Sequence, residues 1–594
     1  MPKLRSEIND SDKWAVNDIY ENDALWEKSL EALQEKINAV KAFQGKLNNA
    51  DAIAEFYKVS EDAELEMNKL YTYAHMKHDE DTANSEYRSM QDRIYSICIQ
   101  YDEETAWVTP EIIAIDDKAM ADILKSEKIL PYKFSLEKLL RQKKYVLSEK
   151  EERILSAAGL PLSAASEAFS ALNDADMKFP MVKDSAGNDC ELSHGTYSIY
   201  LRSADRELRK NAFLEYHKKY NEFSNTLTTL LQGEIRNHVF SAKTRGYDTA
   251  LDAAVFGKNI DRSVYTNLIK TVHDNIHILH KYIKYRKEKL GVDQLHFYDL
   301  YVPLAEHEEI KLTYDEARNL VLEAVKPLGK QYSEVLHKGL YEERWVDIYE
   351  NENKRSGAYS TGSYLTRPYI LMNYNGTLDS ARTLAHEAGH SMHSWFTHNT
   401  QSPTYGSYPI FLAEVASTFN EEMMNNYLLQ KHGDDKKFKA YLLTSMIEDI
   451  RATLFRQTLF AEFELKLHEM AENSIPFTAD LLKKEYMDLY RFYYGEELVL
   501  DDELAIEWAR IPHFYYDYYV YQYATGISAA IALYQRVSKG GSQELEDYLG
   551  FLKAGNSRYP LDILRSAGVD MSKPEPIAAA ISYFDELLTL LQNC

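Results

Sequence analysis

Cysteine is scarce: Cys98, Cys190 and Cys594 are the only three in 594 residues. They are odd in number, widely spaced and without a C-x-x-C pair, which excludes a disulfide framework and a cysteine metal knuckle. A reducing, cytoplasmic setting is the expectation. Long apolar runs are also missing, so no segment of about 18 residues can cross a bilayer. The start, Met1-Pro2-Lys3-Leu4-Arg5-Ser6-Glu7, has no apolar stretch behind its two basic residues, and neither signal-peptide export nor a membrane partner is expected. Basic residues are in short supply, 68 against 93 acidic, and the net charge of −25 would repel a phosphate backbone. Nucleic acid is therefore set aside. Glycine and proline, 23 and 15 in number, are too few for a fibrous or low-complexity chain. What is present is 45% hydrophobic and 27% charged, the balance of a globular protein with ample core. At roughly 150 residues per domain, the length calls for two or more packed units or one large helical body.

Most of that length has helical periodicity. Trp26, Leu30, Leu33, Ile37 and Val40 recur at spacings of four and three, laying an apolar stripe that Asn22 or Asp23 can cap. Similar patterning runs to about residue 173. Residues 177–201 break it: Phe179-Pro180-Met181-Val182, a turn-rich Asp184–Asp189 and Cys190-Glu191-Leu192 predict a short hairpin. A soft boundary is placed here, giving an N-terminal helical domain over 1–200 and a second, mostly helical domain over 201–594. Trp345–Tyr349 and Tyr369–Met372 predict short strands around a Gly/Ser-rich segment, 356–363, and helices resume from Asp379.

The chemistry lies on that next helix. Thr383-Leu384-Ala385-His386-Glu387-Ala388-Gly389-His390 sets two imidazoles one turn apart on one face, with Thr377 and Asp379 as capping candidates. Two nitrogens so placed can hold one zinc, while Glu387 beside the first can reach a zinc-bound water as general base, the arrangement signalled by H-E-x-x-H. A catalytic zinc takes three protein ligands and keeps one position open. Glu414, in the apolar run Phe411-Leu412-Ala413-Glu414-Val415-Ala416-Ser417, is the best third donor, because a carboxylate there is costly unless neutralised. Glu421, seven residues on, can orient a histidine or simply be solvated.

Other histidines are weaker. His273, His277 and His280 repeat at helical spacing but lack the adjacent Glu, and are read as structural. His393 and His398 are read as packing residues. Between Arg510 and Tyr523, six tyrosines fall within nine residues, and phenols beside His513 can donate to a developing oxyanion. On a helical wheel Tyr516 and Tyr523 share a side with His513, which favours those three. Among 45 tyrosines, clustering in a core is the competing account.

The motifs His386-Glu387-Ala388-Gly389-His390-Ser391-Met392-His393, Ala413-Glu414-Val415-Ala416-Ser417-Thr418 and Ile511-Pro512-His513-Phe514-Tyr515-Tyr516 resemble the oligoendopeptidase F family of the thimet-oligopeptidase-like zinc metallopeptidases. Gly357-Ala358-Tyr359, the run to Asn373-Tyr374 and the segment Trp14–Tyr20 are similar too. The resemblance implies a mostly α fold, a large helical ellipsoid with a deep substrate channel and a small antiparallel sheet beside the zinc helix. It also implies one Zn²⁺ per chain on His386, His390 and Glu414, Glu387 as base, and His513 with Tyr516 and Tyr523 around the scissile carbonyl. Tyr519 and Tyr521 compete for the last role. Substrates are expected to be short peptides, cut internally, with Gly357, Ala358 and Tyr359 pairing their backbone by β-augmentation. A dipeptidyl carboxypeptidase with the same centre is the alternative. More remote are a di-iron oxidoreductase using Glu387-x-x-His390 and Glu334-x-x-His337, and a non-catalytic scaffold.

Overall fold

The computed structural model of the chain describes residues 2–305 and 310–594. The chain is predominantly helical. The first predicted stripe is the helix Asp23–Lys41, capped by the Asn22 side chain on the Leu25 N–H, with Trp26, Leu33, Ile37 and Val40 buried. It packs on the 31-residue helix Ala50–Glu80, which in turn packs on Ser85–Thr105. The hairpin is present: Met181–Lys183 pairs antiparallel with Asp189–Glu191. Its loop is closed by the Asp184 carboxylate, which accepts from the N–H groups of Ala186 and Asn188, and by Gly187 at φ 85°.

Contacts divide the chain into two units, each built from three segments. One comprises 1–144, 308–430 and 533–568, the other 145–307, 431–532 and 569–594. Each draws on both sides of residue 200. No helix among the described residues is long and apolar enough to cross a membrane.

The first unit holds a three-stranded sheet. Tyr369–Leu371, wholly buried, is its centre, flanked by Val346–Asp347 and Tyr359–Thr361. Tyr359–Thr361 is antiparallel to the centre but Val346–Asp347 is parallel to it, so the sheet is mixed rather than antiparallel as expected. The centre and the Tyr359–Thr361 edge pack on the helix Leu378–His398. Buried Asp347 fastens this layer: both Arg5 amino groups bond its carboxylate, and the Lys354 ammonium lies 2.7 Å from it. Burial opposes charge on Asp347, yet Arg5 and Lys354 outweigh it and hold the carboxyl below its ordinary range.

A depressed carboxyl contributes stability above its unfolded value, about 3.9, and loses it as pH falls through the lower folded value. Asp347→Asn leaves the Lys354 charge buried without its partner. It is expected to cost about 3–5 kcal/mol at neutral pH, read by urea unfolding, with the gap from wild type narrowing below about pH 4.

In the second unit, helices Arg206–Glu222, Ser224–Thr244 and Ala479–Tyr494 pack against the 3₁₀ segment Asp502–Arg510. Fully buried Glu507 anchors that segment, bonded by Arg456 at 2.7 Å, Arg510 at 3.0 Å and the hydroxyls of Tyr486 and Tyr490 at 2.9 and 2.5 Å. The chain that leaves this anchor carries His513.

Candidate metal centre

The helix Leu378–His398 starts where Thr377 accepts from the Ser380 N–H. Leu384, Ala385, Ala388 and Met392 are buried, and they fix the rotation that sets His386 and His390 side by side, ring centres 4.9 Å apart. Gly389 lies between the two histidines. A Cβ there would stand 2.7 Å from both the Ala416 carbonyl oxygen and the Ser417 Cα, so only glycine permits the helix Ile410–Lys431 to approach this closely. That approach delivers Glu414.

Gly389→Ala must therefore push two backbones apart. Despite alanine's better helix propensity, a net loss of about 1–3 kcal/mol is expected from overpacking. Metal retention should fall more sharply than the melting temperature, checked by metal analysis beside thermal unfolding of the same sample.

Glu414 Oε2 lies 3.3 Å from His386 Nε2 and 3.6 Å from His390 Nε2, and the three donor atoms lie within 4.8 Å of one another. On its other side His386 Nδ1 makes a very short contact with Glu421 Oε1. A carboxylate only accepts, so Nδ1–H donates to Glu421, and Nε2 faces a second carboxylate across a position that either a proton or a metal cation fills. Burial disfavours charge on His386, but the bonds to Glu414 and Glu421 overcome it and raise the imidazole to about 10. Glu414 is shifted the opposite way: burial is outweighed by His386 and His390, and the carboxyl is held well below its usual range. Ser417 Oγ donates to Glu414 Oε2 at 3.0 Å and fixes its rotamer. Two imidazoles and one carboxylate at this spacing match the donor set of a catalytic zinc site.

Glu387 points elsewhere. It is 7% exposed, takes the Ser360 backbone N–H, and burial raises its pKa against the opposing pull of His386 and His390. Ser360, at the strand edge, and Gly389 carry no signature that sequence reasoning could have singled out. Glu421, left open before, takes the orienting position. His393 is packed, its ring stacked 3.7 Å from that of Tyr408 and pushed down to about 3 by burial. His273 pairs with Glu462 at 2.6 Å, and His280 meets the Phe492 carbonyl. The di-iron alternative loses its second pair: the Glu334 side chain is 67% exposed and beside Lys330, and His337 stacks on Tyr341.

Gly357, at φ 86°, turns the chain into the Tyr359–Thr361 strand, and its carbonyl accepts from Asn373. The Tyr359 hydroxyl is committed to Asp79 at 2.7 Å, leaving its backbone on the sheet edge. A cleft of about 790 Å³ adjoins this edge, lined by Thr361–Tyr364, Ser394, His398, Thr404 and Tyr408 among others.

In the other unit, His513 occupies a 3₁₀ turn, Pro512–Tyr515, and a helix begins only at Tyr521. The single helical wheel assumed for 513–523 is thus incorrect, because Tyr518 at φ 47° reverses the chain between. The grouping nonetheless holds: His513 Nε2 lies 3.0 Å from the Tyr523 hydroxyl, and Tyr516 and Tyr519 pack against the same ring. Tyr516 is 51% exposed, whereas Tyr515 stacks on Phe169 and Tyr521 packs on Tyr265. Tyr519 belongs with the cluster; Tyr521 does not.

Residues 199–583 match the profile described as Peptidase family M3, and 111–179 that described as Oligopeptidase F. The chain is 44% identical over 591 residues to "Oligopeptidase PepF" of Bacillus subtilis (strain 168), covering 99% of this chain and 88% of that one. It is 38% identical to "Group B oligopeptidase PepB" of Streptococcus agalactiae serotype III (strain NEM316), covering 100% and 98%. Among solved structures, a putative peptidase from Chlamydophila abortus superposes with TM-score 0.95 at 41% identity over 100% of both chains. Oligoendopeptidase-F from Enterococcus faecium gives 0.73 at 35%, covering 96% and 98%.

Proposed function

The chain belongs to peptidase family M3, in its oligopeptidase F group, and from this premise we propose that it is a zinc-dependent endopeptidase cutting internal bonds of short peptides. It is a metallopeptidase of oligopeptides by family. The observation that carries the finer reading is the convergence of His386 Nε2, His390 Nε2 and Glu414 Oε2, with His386 Nδ1 already tied to Glu421. His386, His390 and Glu414 would hold the zinc, which would supply Lewis acidity to the scissile carbonyl and the attacking water.

The remaining steps belong to the protein. Glu387, buried and raised in pKa, takes a proton from the attacking water on a carboxylate oxygen and returns it to the leaving amine. His513, Tyr516 and Tyr523 are assigned as hydrogen-bond donors to the oxyanion, supported by their motif and by the His513–Tyr523 contact. Gly357, Ala358 and Tyr359 offer main chain to an extended peptide, supported by the edge position of the strand that Tyr359 opens and the other two lead into. Such pairing gives affinity with little side-chain selectivity. The profile matches at 111–179 and 199–583 support residues 1–200 as an N-terminal domain and 201–594 as the catalytic one. Three free cysteines support a reducing, cytoplasmic setting.

The test is mass-spectrometric mapping of cuts in a mixture of unrelated peptides and one folded protein, with and without chelator. Internal cuts in the peptides, sparing the folded protein and abolished by chelation, are expected. Release of C-terminal dipeptides alone would replace the reading with the dipeptidyl carboxypeptidase.

A further inference from the structure

Within the second unit, the packed helices Ser224–Thr244 and Arg456–Glu472 carry the same pair at the same spacing, Glu234 with His238 and Glu464 with His468. The two imidazoles stack with centres 5.4 Å apart and planes 9° off parallel, and His238 Nδ1 lies 3.1 Å from His468 Nε2. The outer nitrogen of His468 settles the proton on that ring. His468 Nδ1 is 2.8 Å from the Glu464 backbone carbonyl, which only accepts, so Nδ1 bears the hydrogen and Nε2 a lone pair. His238 Nε2 lies 3.3 Å from the Glu234 carboxylate, and His238 Nδ1 is at hydrogen-bond distance from that His468 lone pair. The space between the rings therefore takes either a proton on His238 Nδ1 or a metal cation held by both nitrogens.

A third donor meets them. Asp517 Oδ1 is 3.6 Å from His238 Nδ1 and 3.9 Å from His468 Nε2. A triangle with sides of 3.1, 3.6 and 3.9 Å has its centre about 2.1 Å from every corner, the length of a zinc–nitrogen or zinc–oxygen bond. At 3.6 and 3.9 Å, the two carboxylate-to-imidazole distances are each 0.3 Å longer than the 3.3 and 3.6 Å of the His386, His390 and Glu414 centre. Nearby acceptors are left over as well: Glu234 and Glu464 each keep a buried carboxylate oxygen without a hydrogen-bond partner. The other Glu464 oxygen takes the Tyr518 N–H at 2.9 Å, holding the left-handed turn that presents Asp517. The Asp517 side chain is 39% exposed, which gives an ion a route in and an open coordination position.

We propose that His238, His468 and Asp517 form a second metal site, for a divalent transition ion of the zinc class. Two imidazoles with one carboxylate disfavour magnesium and calcium, which select oxygen. The outer acceptors, Glu234 and the Glu464 carbonyl, orient both rings as second contacts do in metal sites. An ion here ties the turn between His513 and Tyr523 to two helices, and the site stands whether or not the catalytic reading does.

The probe is zinc itself. A His386→Asn/His390→Asn double variant, loaded with zinc and desalted, is expected to retain one ion by mass spectrometry, and to give cobalt visible absorption when cobalt replaces zinc. Adding His238→Asn, or separately Asp517→Asn, should remove that ion and the absorption; Asp517 is 39% exposed and His238 mostly buried, so circular dichroism checks folding of each and the Asp517 variant tests the site without touching a buried ring. A folded double variant that retains no ion overturns the proposal and leaves a proton shared between the rings. Retention unaffected by both His238→Asn and Asp517→Asn overturns it too. Two ions kept by the double variant would count against the first centre, not this one.

Discussion

Glu387→Gln is expected to bind as much zinc as wild type and to lose about 10²–10⁴-fold in kcat/KM on a short peptide, the contribution of a general base. That loss corresponds to about 3–5 kcal/mol of transition-state stabilisation. Zinc retention follows from geometry, since the proposed donors are His386, His390 and Glu414 and Glu387 is turned toward Ser360. The amide of glutamine keeps an oxygen for the Ser360 N–H and occupies the same volume, so the strand and helix stay in register. What it lacks is the lone pair that accepts the proton of water. The defect should lie in kcat with KM little changed, because the lost interaction forms only in the transition state. Wild-type turnover by the zinc-loaded variant would move the base elsewhere, and loss of zinc would make Glu387 part of the metal's support.

The parts of this centre that were legible in the sequence are those fixed by helical spacing. His386 and His390 at i and i+4, Thr377 as cap, and a carboxylate stranded in an apolar helix at Glu414 each follow from local rules. The hairpin near residue 185 and the stripe from Trp26 to Val40 were legible for the same reason. Contacts between elements were not. Gly389 reads as a poor helix residue until Ala416 and Ser417 stand against it, and Ser360 is an ordinary strand residue until Glu387 meets its N–H. The tyrosine cluster shows the limit most clearly. A wheel drawn through residues 513–523 assumed one helix, but Tyr518 in the left-handed region, held by a bond to Glu464 from another helix, breaks it. The mixed sheet has the same origin, since strands of two or three residues carry no signal of direction.

Glu414→Gln should cost more zinc affinity than Glu421→Gln, and the order tests how the centre is built. Removing a carboxylate that only orients a ligand histidine costs about 10–100-fold in metal affinity. Glu421 touches Nδ1 of His386, so its amide variant should fall in that range and recover turnover at high zinc. Glu414 faces the Nε2 atoms of both histidines, and its loss removes a donor and the negative charge that compensates the cation. A decline beyond about 100-fold is expected, with turnover not restored by added zinc, because two imidazoles alone leave the ion without the third anchor of a catalytic site. Competition with a chromophoric chelator measures both affinities directly. Equal losses would mean that Glu421 is itself a ligand. A larger loss for Glu421 would reverse the roles, placing the ion on the far side of the His386 ring, where His390 could not reach it.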